Sequence, residues 1–214
     1  MKKTLFTTIF MLIGVMVFSQ TRLYVNPKFP EIARHQKIIA IIPFTTTIQL
    51  RPKQMRNTTP EQLKTMEINE GKGVQMALYS WFLKRGEKGK LLVKVQDPNV
   101  TDVKLKRAGI KIEDYSDHTP AEIAKILGVD GLVMGTLKTT KPMSAGLSAA
   151  LGVLVGVWGV TNRATMNLFI YNEADGSVLL NYNKGIRGSL GSSTQDMVNI
   201  LMRKASRRIA YVSK

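Results

Sequence analysis

The run Lys37-Ile38-Ile39-Ala40-Ile41-Ile42-Pro43-Phe44 constrains the fold most. It is apolar and β-branched without alternation, and a proline closes it. Such a run fits a central strand buried on both faces. A strand of that kind needs other elements packed above and below its sheet.

The sequence supplies them. Thr59-Pro60-Glu61-Gln62 is a capping box with proline at the first helical position, so a helix should follow. Leu63, Met66, Val74, Ala77, Leu78, Trp81 and Phe82 give its apolar stripe. Gly71 and Gly73 weaken its middle, each by about 1 kcal/mol against alanine, and Gly86 suits its end. Leu91–Val95 reads as a strand and Pro98–Ala108 as a short helix stopped by Gly109. Thr119-Pro120-Ala121-Glu122 repeats the capping box, and Gly128 suits the C-terminal cap of that second helix. Gly131–Leu137 is a buried type of strand. Arg163–Tyr171 and Val178–Asn183 flank Asp175-Gly176, the signature of a β-hairpin. Ala164, Met166, Leu168 and Ile170 share one face of its first strand, and Thr165, Asn167 and Phe169 the other. A last helix opens at Ser193–Asp196 and carries Val198, Leu201, Met202, Ala205 and Ile209 on one stripe. The order β-α-β-α-α-β-β-β-α predicts an α/β (α+β) domain: a mixed sheet of about five strands with helices packed on it.

The N-terminus predicts export. Lys2 and Lys3 precede the uncharged apolar run Leu5–Phe18, and Val17-Phe18-Ser19 places a cut before Gln20. The rival is an uncleaved anchor, for which the run is short against the roughly 20 residues a bilayer span takes. Residues 1–19 are thus a signal peptide, 20–36, with Pro27 and Pro30, an extended lead-in, and 37–214 one domain. Thr45–Asn57 is polar and basic and reads as a loop. The chain has no cysteine. That excludes a lipid-modified N-terminal Cys, disulfides, Cys-based metal sites and Cys nucleophiles, and leaves an exported domain held by its core alone.

The formal charge of +16 suits anionic partners: lipid head groups, lipopolysaccharide or an acidic protein. Export argues against nucleic acid. Arg203, Lys204, Arg207 and Arg208, with Lys214 beyond, are either a solvated helix face or an anionic-surface contact. Their place near a helix C-terminus also suits its dipole.

No constellation supports catalysis. His35 and His118 have no second ligand at metal spacing. Glu113, Asp114 and Asp117 read as a solvated turn with capping roles. No serine has a nucleophile elbow. Gly185–Ser193, leading into a helix N-terminus, lacks a phosphate-loop pattern and reads as a flexible loop with a cap. No cofactor, metal or small-molecule substrate is expected.

Pro142–Asn162 is the segment that stands out. Its 21 residues carry no charge and include Leu147, Leu151, Leu154 and Trp158, with glycines at 146, 152, 156 and 159. It falls between two expected strands, where a simple domain needs only a loop. As a helix it repeats Ser148, Gly152 and Gly156 every four residues, a ridge that lets backbones pack closely. As a hairpin, its β-branched Leu151–Val157 lacks the alternation of a channel strand. It can instead tuck against its own sheet, although exposed apolar patches of this size are unusual on soluble monomers. Leu147, Leu151, Gly152, Leu154, Gly156 and Trp158 are the expected contact with a membrane or with further copies of the chain.

Three stretches together carry a resemblance: the strand ending Ile42-Pro43-Phe44, the unit Thr119 to Leu127-Gly128-Val129-Asp130-Gly131-Leu132-Val133-Met134-Gly135, and the hairpin from Asn167-Leu168-Phe169-Ile170-Tyr171-Asn172 to Asp175-Gly176-Ser177-Val178-Leu179. The pattern resembles the envelope family that includes the curli secretion channel protein, the outer-membrane activators of penicillin-binding proteins and the N-terminal domain of the TolB translocation protein. The resemblance spans roughly residues 37 to 210. It implies a non-enzymatic module of the periplasm or outer membrane that self-assembles or binds envelope proteins, or else a membrane-inserting subunit of a secretion pore. The missing cysteine departs from the lipoprotein members.

Overall fold

The computed structural model describes residues 21–50, 52–140, 162–188, 194–205 and 208–212. In chain order the elements are β1 (Thr21–Val25), α1 (Phe29–His35), β2 (Ile38–Ile41), β3 (Thr45–Ile48), α2 (Pro52–Met55), α3 (Pro60–Gly86), β4 (Lys94–Val95), α4 (Pro98–Arg107), a 3-10 turn (Ile112–Asp117), α5 (Pro120–Leu127), β5 (Gly131–Thr139), β6 (Asn162–Asn172), β7 (Val178–Gly188) and α6 (Thr194–Ala205). The seven strands form one mixed sheet in the order β1-β7-β6-β5-β2-β4, with β3 also paired to β5.

The expected central strand is there. Ile39 and Ile41 are buried in one core and Ala40 and Ile42 in the other. β2 runs parallel to β5 (Ile41 opposite Val133), Pro43 interrupts it, and β3 resumes the pairing at Thr45 opposite Thr136. α3 and α6 cover one face of the sheet, packing Val74, Leu78, Phe82, Val198 and Met202 against Met166, Leu168 and Ile170. α4, α5 and the 3-10 turn cover only half of the other face, over Ala40, Ile42 and Leu132. On that face α5 reaches the Tyr171 end of β6, where Tyr171 and Met134 pack against the second core; further along, Thr165 is exposed and Asn167 and Phe169 are half-buried.

Both capping boxes form. Thr59 Oγ1 accepts from Gln62 N–H at 3.2 Å and Thr119 Oγ1 from Glu122 N–H at 3.2 Å. Gly128 takes the left-handed conformation (φ 63°) that ends α5. α3 runs unbroken through Gly71 because a close approach requires that glycine. A Cβ there would lie 2.0 Å from the carbonyl oxygen of Phe44, where the chain crosses from β2 to β3.

Five expectations need correction. Residues 20–36 are not an extended lead-in: Thr21–Val25 is an edge strand, antiparallel to β7, and Phe29–His35 is a helix. Pro27 and Pro30 hide both from periodicity. Pro30 sits in the first helical turn, where its missing N–H costs nothing, and β1 takes its register from a partner far along the chain. Thr45–Asn57 is not a loop but holds β3 and α2. The strand expected at Leu91–Val95 shrinks to Lys94–Val95, and β7 continues past Asn183 to Gly188. α6 ends at Ala205, so Ile209 reaches the core from beyond the helix.

Candidate assembly surface

Pairing between β5 and β6 is continuous from Gly131–Asn172 to Thr139–Ala164. The two strands are immediate antiparallel neighbours, for which a connection of two to five residues suffices. The sequence between the two strands is thus far longer than their pairing needs. Leu147, Leu151, Gly152, Leu154, Gly156 and Trp158 lie outside the described residues; what the structure places is the root of their segment.

The root is firmly built. Thr139 is buried, and its carbonyl accepts from Gln49 N–H at 2.8 Å. Ile48 N–H donates to Glu67 Oε1 at 2.9 Å, tying β3 to α3. Asn162 stands opposite Gly188. Leu50, Thr140, Asn162 and Gly188 thus share one end of the sheet. Basic residues gather there too. Lys138 is exposed, and Arg163 and Arg187 are direct register partners.

The C-terminal basic set does not form one helix face. Arg203 is exposed near the end of α6 and Lys204 lies within the helix, whereas Arg208 is exposed in the turn beyond it. Arg207 lies outside the described residues. Arg208 joins Arg34 beside an apolar groove of about 440 Å³ lined by Val25, Pro30, Ala33 and Leu92.

The acidic cluster near His118 is used in local structure. Glu113 pairs with Lys64 at 2.8 Å, and Asp114 Oδ2 accepts from Lys111 N–H at 3.0 Å. Lys64 holds the Glu113 carboxyl below its ordinary range. Among the described residues no group of three His, Asp or Glu is placed to hold a metal ion, and no helix is long and apolar enough to cross a membrane.

At the opposite end of the sheet is a polar clasp that sequence reasoning missed. Gln36 Nε2 donates to the Asp130 carbonyl at 2.7 Å and to Asn172 Oδ1 at 2.9 Å. Tyr211 donates its hydroxyl to Gln36 Oε1. Burial, with the Asp130 carboxylate adding to it, pushes the Tyr211 phenol far above its usual range, so it remains a neutral donor. Asp130 Oδ2 accepts from Lys37 N–H at 2.6 Å and Ile38 N–H at 2.9 Å. Asn172 Nδ2 donates to Asp175 Oδ1 at 2.8 Å in the hairpin turn. Asp130 and Asp175 stood out in sequence as parts of motifs. The clasp gives each a structural task. Gln36 and Tyr211 left no sequence signal of their own.

No family model matches the chain, and no curated protein is similar to it. Among solved structures it is similar to the lipoprotein GNA1162 from Neisseria meningitidis (14% identity, 81% of this chain and 96% of that one, TM-score 0.47). It is also similar to the PelC dodecamer from Paraburkholderia phytofirmans (12%, 91% and 99%, TM-score 0.46). The C-terminal domain of LpoB from Salmonella enterica is more distant (8%, 75% and 96%, TM-score 0.34).

Proposed function

We propose that this chain is an exported, non-catalytic protein of the periplasm or outer membrane. It assembles with copies of itself, or docks onto an envelope assembly, through residues 142–162. One observation carries the reading: an uncharged Gly-rich stretch joins two strands of the central hairpin whose pairing needs only a short turn. The basic charge around that root favours a second reading, in which the segment enters a membrane as part of an export pore while cations meet anionic head groups.

The experiment compares the mature chain with a variant lacking Gly146–Gly159. Particle size is measured with and without detergent, together with flotation on vesicles. The wild type should form oligomers or float, and the deletion should remain folded and soluble while doing neither. Oligomers that stay soluble without detergent support docking, and a ring that needs detergent supports the pore. A deletion that unfolds, with no association seen in the wild type, would overturn both readings and leave the segment as packing.

A further inference from the structure

We propose that the open half of the sheet binds an acidic polysaccharide laid flat across β5, β6, β7 and β1. Register places the residues of this face in rows. Met134, Phe169, Asn181 and Tyr24 stand side by side across the four strands. Thr136, Asn167, Asn183 and Arg22 form the next row, and Lys138, Thr165 and Gly185 the one after. None of these positions is acidic.

The composition works against strand stability. Asparagine is depleted in strands, yet three share this face. Asn181 and Asn183 make no side-chain hydrogen bond within the described chain, and Asn167 Oδ1 is shielded from solvent without a donor among the described residues. A glycine weakens a strand interior and often marks a close approach by another molecule. A Cβ on Gly185 would meet nothing within 4 Å, and its backbone is not left-handed. Neither packing nor conformation requires glycine there, but a flat surface does.

The partner follows from the chemistry on offer. Amide side chains both donate and accept, which matches the hydroxyls of a sugar. Phe169 and Tyr171 stack at 5.7 Å and 22°, and Tyr24 is 52% exposed, giving ring surface beside the amides. Arg22 and Lys138, both exposed, answer carboxylates with charge-assisted bonds. An occupant without hydrogen-bonding groups would bury those amides unpaired, at roughly 1–3 kcal/mol each.

The test measures binding of the mature protein to polygalacturonate, to neutral dextran and to phosphatidylglycerol vesicles. Polygalacturonate should bind, more weakly as salt rises, and dextran at least tenfold more weakly. Gly185→Val should keep or raise Tm and lose at least tenfold in affinity. The pair Arg22→Glu and Lys138→Glu should lose as much, against less than threefold for the equally charged control Lys88→Glu with Lys125→Glu. Equal loss in the control, binding to vesicles alone, or a concentration-dependent dimer that Gly185→Val abolishes without any glycan binding would each overturn the proposal. Run on both the mature chain and the variant lacking Gly146–Gly159, the assay separates this face from the reading of residues 142–162: binding retained in both supports the proposal, and binding lost with the deletion overturns it.

Discussion

The Tyr211 hydroxyl donates to Gln36 Oε1 at 2.5 Å, joining residues 175 positions apart in the chain. Both side chains are buried, and Gln36 passes the link on to Asp130 and Asn172. Removing the hydroxyl leaves a buried acceptor unpaired, which costs roughly 1–3 kcal/mol. Tyr211→Phe should therefore lower stability by about 2 kcal/mol in urea unfolding, with an unchanged m-value. Gln36→Ala breaks three hydrogen bonds and should cost more.

Two glycines of α3 should respond in opposite ways to alanine. Gly71→Ala drives a methyl to 2.0 Å from the Phe44 carbonyl oxygen. The backbone of β2 and β3 must shift, so the variant should lose more than about 3 kcal/mol or fail to fold, overpacking alone costing roughly 1–3 kcal/mol. A Cβ at Gly86 would meet Leu91 Cδ2 at an ordinary 3.7 Å. Gly86→Ala should be neutral or stabilising by up to about 1 kcal/mol. Thermal melts of the two variants check both outcomes.

The gap between the sequence reading and the fold follows from what periodicity reports. The buried strand at Ile38–Ile41, the two capping boxes, the Gly128 cap and the Asp175-Gly176 turn are local, and each was legible. Gly71 looked like a weakness, because the atom that requires it belongs to Phe44. β1 and β3 were missed for a related reason: their alternation is short, and their pairing partners lie far along the chain. The uncharged stretch 142–162 was legible as composition only. The clasp was half legible, since Asp130 sits in a motif but Gln36 and Tyr211 acquire meaning only when the ends of the domain meet.

Acid should weaken the fold through surface carboxylates. Hydrogen bonds from Ser177 and Asn172 hold Asp175 below its ordinary 3.8, and Glu122, bonded to Thr119, lies below 4.5, as does Glu113 beside Lys64. A depressed folded-state value favours the ionised, folded form. That contribution is complete above the unfolded values and fades as pH falls through the lower folded ones. Tm should hold steady from pH 7 to about 5 and drop below about 4. Asp175→Asn should flatten part of that drop.

Cap loss gives a smaller, calibrated effect. Thr119→Ala removes the acceptor for Glu122 N–H at the start of α5. A cost of about 1 kcal/mol is expected, or roughly 2–4 °C in Tm for a domain of this size. Thermal unfolding of the purified variant checks it.

The pairing of Thr21 with Lys184, beside the register of β1 on β7, has a consequence for the order of events. On the proposed export route the chain crosses the membrane N-terminus first, so β1 arrives while its partner is still on the other side. The edge of the sheet and the Gln36–Tyr211 lock both wait for the last stretch to emerge. Contacts so distant in sequence form slowly. On that route the chain carries its own delay, threadable in transit and closing only once nearly all of it has crossed.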